Sequence, residues 1–247
     1  MGGRIQVPID IGQDCRIHET AVIGDGVVIG DRVTIGPFVV LTGPLEIGSG
    51  CWIGAQAVIG APPEINGFEH FSSYSEPSVG CGIFIGENTV VRELTAVHQG
   101  SERPTMIGAN SFIMNRISVG HDVQLGENTI AAPGVTFGGH VTLGHGCNMG
   151  MNSTIHQRRV MGAGAMVGMG GIATKDIPPF ATVVGNPGVL HGANSVGMSR
   201  KGYAESDVDV VGSAYANGRL PDLAALNDAT ATAFEWWRNL STKPLIG

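Results

Sequence analysis

Aliphatic residues return every six positions along this chain. They stand at Ile5, Ile11, Ile17, Ile23, Ile29, Ile35, Leu41, Ile47, Ile53 and Ile59. Glycine follows many of them, at Gly12, Gly24, Gly30, Gly36, Gly48, Gly54 and Gly60. The phase is lost from 61 to 84 and returns at Ile85, Val91 and Val97. It breaks again across 98–106, then runs from Ile107 to Ala173. A period of six fits neither a 3.6-residue helical turn nor the alternation of a plain strand. It is the pattern of a hexapeptide β-helix. Each hexad predicts one flat side of a triangular coil. The aliphatic residue fills the axis, and the glycine lets the backbone turn tightly at or near the corner. A second small or apolar residue comes four positions later, as at Cys15, Ala21, Val33, Cys51, Ala57, Val123 and Cys147, and is predicted to point inward.

The repeat ends near 187, at Ile177-Pro178-Pro179-Phe180 and Gly185-Asn186-Pro187. Residues 204–217 and 221–240 then carry apolar residues at helical spacing. Pro221 with Asp222 predicts a helix start. The chain therefore reads as a left-handed parallel β-helix over 1–190, with loops near 61–84 and 98–106. A small C-terminal α-helical domain is predicted over 191–247. Trp236 and Trp237 are expected to pack rather than to bind a ligand.

Composition narrows the function. Gly makes up 39 of 247 residues, but no Gly-X-Y period exists, which excludes a collagen-like rod. Hydrophobic residues reach 43%, enough for a sizeable core. No apolar run approaches the ~18 residues of a membrane span. The N-terminus lacks the apolar core of a signal peptide, so a cytoplasmic location is expected. The net charge is −7 and no basic face stands out, which argues against nucleic acid as a partner. Four scattered cysteines make no disulfide framework, and three of them occupy inward slots. Charged residues are only 14%, against a usual ~25%. That low fraction fits burial of one outer face between subunits.

Both breaks in the repeat carry distinctive text. So do Val91-Arg92-Glu93, Val97-His98-Gln99-Gly100, Met114-Asn115, Gly120-His121-Asp122, Gly138-Gly139-His140-Val141 and Ile155-His156-Gln157. Ser75-Glu76-Pro77-Ser78, Asp176-Ile177-Pro178-Pro179, Arg200-Lys201-Gly202-Tyr203 and Leu245-Ile246-Gly247 complete the set. With these motifs the chain resembles, nearly end to end, the acyl-[acyl-carrier-protein]–UDP-N-acetylglucosamine O-acyltransferases of lipid A synthesis. The resemblance implies a homotrimer, acyl carrier protein as acyl donor, a sugar-nucleotide acceptor and no cofactor or metal.

Acyl transfer from a thioester to a hydroxyl or amine needs a general base and a donor for the developing oxyanion. Histidine suits the base, its ordinary pKa lying near 6.5. The resemblance places the base at His121 with Asp122 as its partner, and the oxyanion at the backbone N–H of Gly139. Adjacent strand residues tend to face opposite sides, which counts against Asp122 as that partner. His140, His156 and Gln157 align with substrate-site residues, Asn194 and Arg200 with contacts to the sugar nucleotide, and Met169 with the end of the acyl groove. Departures cluster on the acceptor side. Ser118 replaces a second histidine, Val196 a glutamate and Pro187 a histidine. The loop 61–84 holds no Lys or Arg where the family has a lysine; Ser72 or Ser73 stands near that place. The transfer centre looks intact and the acceptor pocket rewritten. An acidic carrier protein would need positive charge, for which Arg158, Arg159, Arg200, Lys201 and Arg116 are candidates.

Three other readings compete. An acetyl-CoA-dependent sugar acetyltransferase would not need the helical tail. A zinc enzyme like γ-class carbonic anhydrase would use His140 and His145, but Pro104 stands where its third ligand belongs, and His98 and His121 are out of phase. A non-catalytic scaffold would explain the altered acceptor loop.

Overall fold

The structure, a computed structural model, describes residues 9–70 and 79–246. Ile5, Ser72, Ser73, Ser75-Glu76-Pro77-Ser78 and Gly247 lie outside the described residues. The chain comprises two compact units, Met1–Gln124 and Leu125–Gly247.

The first unit is a parallel β-solenoid built from strands of two to four residues. The hexad aliphatics stack in three columns, one per sheet. Ile11 pairs with Ile29, Ile29 with Ile47, Ile47 with Ile85 and Ile85 with Ile107. Ile17, Ile35, Ile53, Val91 and Ile113 form the second column. Ile23, Leu41, Ile59, Val97 and Val119 form the third. Both breaks in the period are thus insertions between coils that keep the register of the columns. The cost falls on one strand, where the ladder shifts between Val97 and His98.

The inward slots are filled as the pattern predicts, with Val33, Val39, Cys51, Ala57 and Val123 all buried. Cys15 and Ala21, in the first described coil, are only half-buried. Polar members of this set stay inside by donating to carbonyls of the next coil. Cys51 Sγ reaches Gly86 O at 3.1 Å and Thr89 Oγ1 reaches Gly108 O at 3.1 Å. Burial pushes the Cys51 thiol up to about 11, so this cysteine packs as a small hydrophobe.

The glycines do something other than the sequence predicts. A Cβ on Gly48 would lie 2.6 Å from the Glu87 nitrogen. These glycines let neighbouring coils approach. The corner itself is turned further on, at residues with left-handed φ such as Phe38, Gln56, Leu94 and Asp122. Most of these are not glycine. The strain that left-handed φ puts on an ordinary residue is borne here because ladder bonds on both sides hold the corner.

The second unit continues the same local design. Ala131, Met149, Val167 and Val183 form one column, and Phe137, Ile155 and Ala173 another. Cys147 donates to Gly144 O and Gly162 O, each at 3.2 Å, and burial pushes its thiol up to about 12. The parallel ladder ends at Ala181–Val184, against which Val189–Ala193 runs antiparallel.

Three helices follow: α1 (Ser195–Arg200), α2 (Glu205–Ala216) and α3 (Asp228–Leu240). The short α1 was not predicted; Asn194 caps it by accepting Gly197 N–H at 3.1 Å. The predicted start at Pro221 is corrected. Asp222 caps only a single 3₁₀ turn, Leu223–Ala225, and Leu226 is extended. The long helix begins after Asn227, whose backbone N–H and side chain are both held by Asp207 Oδ1. Trp237 is buried, while Trp236 is half-buried.

Candidate functional site

Around His121 the second break in the repeat finds its purpose. Residues 100–104 wrap over a single carboxylate, that of Asp122. Its Oδ1 accepts the backbone N–H of Ser101, Glu102 and Arg103 at 2.9, 2.7 and 2.8 Å. Its Oδ2 accepts the Ser101 hydroxyl and His121 Nδ1, each at 2.6 Å. Arg103 Nε donates to the Asp122 carbonyl at 2.9 Å, and Asp122 N–H donates to Thr105 Oγ1 at 3.0 Å. Such a tight turn leaves no room for a side chain at Gly100, where a Cβ would run into the Arg103 carbonyl.

Adjacent strand residues would face opposite sides, but His121 and Asp122 sit at a corner. The φ of +62° at Asp122 curls its side chain back to the His121 ring. The Asp122 side chain is 0% exposed and that of His121 14%. Burial alone would raise the Asp122 pKa. The hydrogen bonds from Ser101, His121, Arg103 and Glu102 outweigh it and hold the carboxyl well below the usual carboxylate range. A carboxylate only accepts, so His121 Nδ1 is the donor, and the basic lone pair of the neutral ring lies on Nε2.

In the second unit, Gly139, His140, His156 and Gln157 lie on neighbouring coils. His140 and Arg158 occupy equivalent corner positions one coil apart, both with φ of +61°. Arg158 N–H donates to Gly139 O at 2.9 Å, and Arg158 Nη2 donates to His140 Nε2 at 3.3 Å. His156 is exposed and its Nδ1 donates to Gln157 O at 3.2 Å. Met169 is 72% exposed. Arg200 is exposed in the last turn of α1. The Asn194 amide is divided between Gly197 N–H and the Gly164 carbonyl, which it reaches at 2.9 Å. Val196 and Pro187 are exposed.

Two of the candidate docking cations have structural work instead. Arg159 Nη1 lies 3.1 Å from buried Asp176, and Lys201 Nζ donates to Gly146 O at 2.9 Å. Arg158, Arg200 and Arg116 are exposed. The zinc reading loses ground on charge. Arg158 sits on His140 and brings a positive charge to that ring. His98 Nδ1 donates to Pro62 O at 3.0 Å, tying the first loop to its coil. Sequence reasoning missed Ser101 and the Arg158–His140 contact. The break at 98–106 signalled the first, since an insertion that keeps register needs an anchor. The shared corner phase of residues 140 and 158 signalled the second.

A parallel solenoid of hexads with a His–Asp pair at an inserted turn defines a hexapeptide-repeat protein with a candidate base. Residues 8–43 match the family model "Bacterial transferase hexapeptide (six repeats)", and residues 176–220 match "Udp N-acetylglucosamine O-acyltransferase; Domain 2". The acyl-[acyl-carrier-protein]–UDP-N-acetylglucosamine O-acyltransferase of Nautilia profundicola is 35% identical over 172 residues, covering 68% of this chain and 63% of that protein. That of Burkholderia orbicola is 32% identical over 166 residues, covering 66% and 60%. The chain thus matches somewhat less than two thirds of the length of these relatives. The UDP-N-acetylglucosamine acyltransferase structure from Campylobacter jejuni superposes with a TM-score of 0.83 at 26% identity, covering 96% of this chain and 94% of that one. A further UDP-N-acetylglucosamine acyltransferase structure gives the same TM-score and coverage at 28% identity. Over the matched lengths this chain is similar to acyl-[acyl-carrier-protein]–UDP-N-acetylglucosamine O-acyltransferases.

Proposed function

We propose that this protein is an enzyme transferring a (3-hydroxy)acyl group from acyl carrier protein to a hydroxyl or amine of a sugar nucleotide resembling UDP-N-acetylglucosamine. The observation that carries this reading is the His121–Asp122 pair. Asp122, saturated with donors and held ionised, fixes the ring and favours the imidazolium that forms during proton transfer. His121 Nε2 takes the proton of the attacking acceptor group as its heteroatom bonds to the thioester carbonyl carbon. The oxygen of the tetrahedral intermediate is stabilised by the Gly139 N–H, the role the resemblance assigns to it. Collapse breaks the C–S bond, and the departing thiolate of the carrier recovers the proton from His121.

His140, His156 and Gln157 serve substrate binding in this reading, with Asn194 and Arg200 on the sugar nucleotide and Met169 at the acyl groove. The coils are wound left-handed, and α1, α2 and α3 form the small C-terminal helical domain. The protein works as a homotrimer in the cytoplasm. Exposed Phe38, Trp52, Leu94 and Met106 in the first unit support burial between subunits. Among the described residues no helix is long and apolar enough to cross a membrane.

The test is direct. Pure protein is incubated with an acyl-ACP series or acetyl-CoA, each with UDP-N-acetylglucosamine, and products are read by mass spectrometry. Acylated sugar nucleotide from acyl-ACP is expected. Product from acetyl-CoA alone would move the enzyme to the acetyltransferases, and no product from any pair would favour a scaffold.

A further inference from the structure

Arg158 stands outside the machinery described so far. It lies one coil beyond His140 at the same corner, and its Nη2 donates to His140 Nε2 at 3.3 Å. A guanidinium carries five N–H donors, has no acceptor and does not lose its proton in proteins. The His140 nitrogen facing it must therefore be the acceptor, which places the ring proton on Nδ1 and leaves the ring neutral. An imidazolium there would set two cations against each other. The corner conformation, with φ of +61° at both residues, and the bond from Arg158 N–H to Gly139 O fix the spacing of the two side chains. Arg159 is committed to Asp176, so the two adjacent arginines do not share a task.

Arg158 is exposed. Its planar fork suits a carboxylate or phosphate oxygen pair better than any other ligand chemistry. The first loop, 61–84, meanwhile contains no Lys or Arg. The chain thus has no cation in that loop and carries one at Arg158, beside His140.

We infer that Arg158 is a specificity-determining residue that binds an oxyanion of the acceptor, with His140 held beside it as a neutral Nδ1–H donor. This rests on the proposed reading of His140 as a substrate-site residue. The oxyanion has two possible sources, the diphosphate of the sugar nucleotide or a carboxylate on its sugar.

The test is calorimetric titration of the intact protein with UDP, UDP-N-acetylglucosamine and UDP-glucuronic acid, for wild type, Arg158→Ala and Arg158→Lys. Losing a charged hydrogen bond should weaken binding roughly tenfold or more. A loss shared by all three ligands assigns Arg158 to phosphate; a loss confined to UDP-glucuronic acid assigns it to carboxylate. Lysine should recover part of the affinity, because it restores charge without the fork. The KM for acyl-ACP should stay unchanged. Nitrogen-15 NMR of the histidine rings should show His140 as the Nδ1–H tautomer in wild type and a shift towards Nε2–H in Arg158→Ala. Unchanged affinity for all three ligands in Arg158→Ala overturns the inference and leaves the proposed function standing. Wild-type protein that binds none of the three overturns both. A parallel rise in acyl-ACP KM with rising salt, and no change in ligand affinity, would place Arg158 in carrier docking instead.

Discussion

Each unit holds a fully buried aspartate that gathers the backbone N–H groups of a segment leaving the coils. In the first unit Asp122 collects Ser101, Glu102 and Arg103, together with the Ser101 hydroxyl. In the second, Asp176 collects Val160, Thr242 and Lys243 N–H at 2.9, 2.8 and 2.6 Å, together with the Ser241 hydroxyl at 3.0 Å. Both carboxylates also take one basic side chain, His121 in one case and Arg159 in the other. The difference between those two partners separates chemistry from architecture. Arginine never gives up its proton, so the Asp176 clamp can only strap the chain end to the coils. Histidine exchanges a proton near neutral pH, so in the proposed function the same clamp at Asp122 holds a base.

Removing the two basic partners breaks this comparison most sharply. His121→Ala should lower acyl transfer by ~10²–10⁴, and the loss of a hydrogen bond to a buried carboxylate should cost about 1.5–3 kcal/mol while the four remaining donors keep Asp122 in place. Full activity in this variant would remove His121 from the mechanism. Arg159→Ala should differ in activity, not in stability. It should lose about 1.5–3 kcal/mol of stability, the range for a hydrogen bond to a charged group, and keep kcat. Denaturant unfolding and steady-state kinetics on both proteins check the pair. A large loss of kcat in Arg159→Ala at full folding would make the second clamp catalytic as well.

Acid unfolding sharpens the comparison next. The folded Asp122 pKa is depressed by its hydrogen bonds, so its contribution to stability is fully present above the unfolded value of about 3.9. That contribution is lost as pH falls from there through the depressed folded value. Asp122→Asn places an amide among five donors and should flatten this part of the acid profile while lowering stability near neutral pH. Unfolding measured between about pH 2 and 5 would show it. An acid limb as steep in the variant as in wild type would mean that other carboxylates control it.

The two clamps also differ in how far the sequence reveals them. Asp122 stood beside a histidine in Gly120-His121-Asp122, so it was readable despite the alternation argument against it. The left-handed corner that defeats that argument carries no glycine and so left no mark. Asp176 appeared only within Asp176-Ile177-Pro178-Pro179. Its partners Ser241, Thr242 and Lys243 lie far along the chain, and no local pattern links them. The columns of the solenoid were legible because every sixth side chain must fill the axis. The helical tail was legible only in outline. Helix α2 follows the predicted stretch, but α1 is too short for periodicity to show. The true start of α3 depends on Asp207, which belongs to another helix.

Met169 gives the smallest effect and tests the comparison from outside both clamps. It makes no charged contact, and 72% of it is exposed in the single chain. A flexible thioether in that position fits either the end of an acyl groove or a subunit contact. In the resembled family a glycine often stands there and leaves room for longer chains. A methionine side chain would close the groove early, so this enzyme is expected to prefer shorter acyl groups. Met169→Gly should shift the preference towards longer acyl-ACPs, by ~1–3 kcal/mol per methylene admitted. The shift should appear in kcat/KM ratios across a competition series, with no change in the base chemistry of His121. Clamp variants at Asp176 should leave those ratios alone, because they alter how the chain end is held and not what the groove admits. An unchanged length profile in Met169→Gly, together with a weakened oligomer, would assign Met169 to subunit packing.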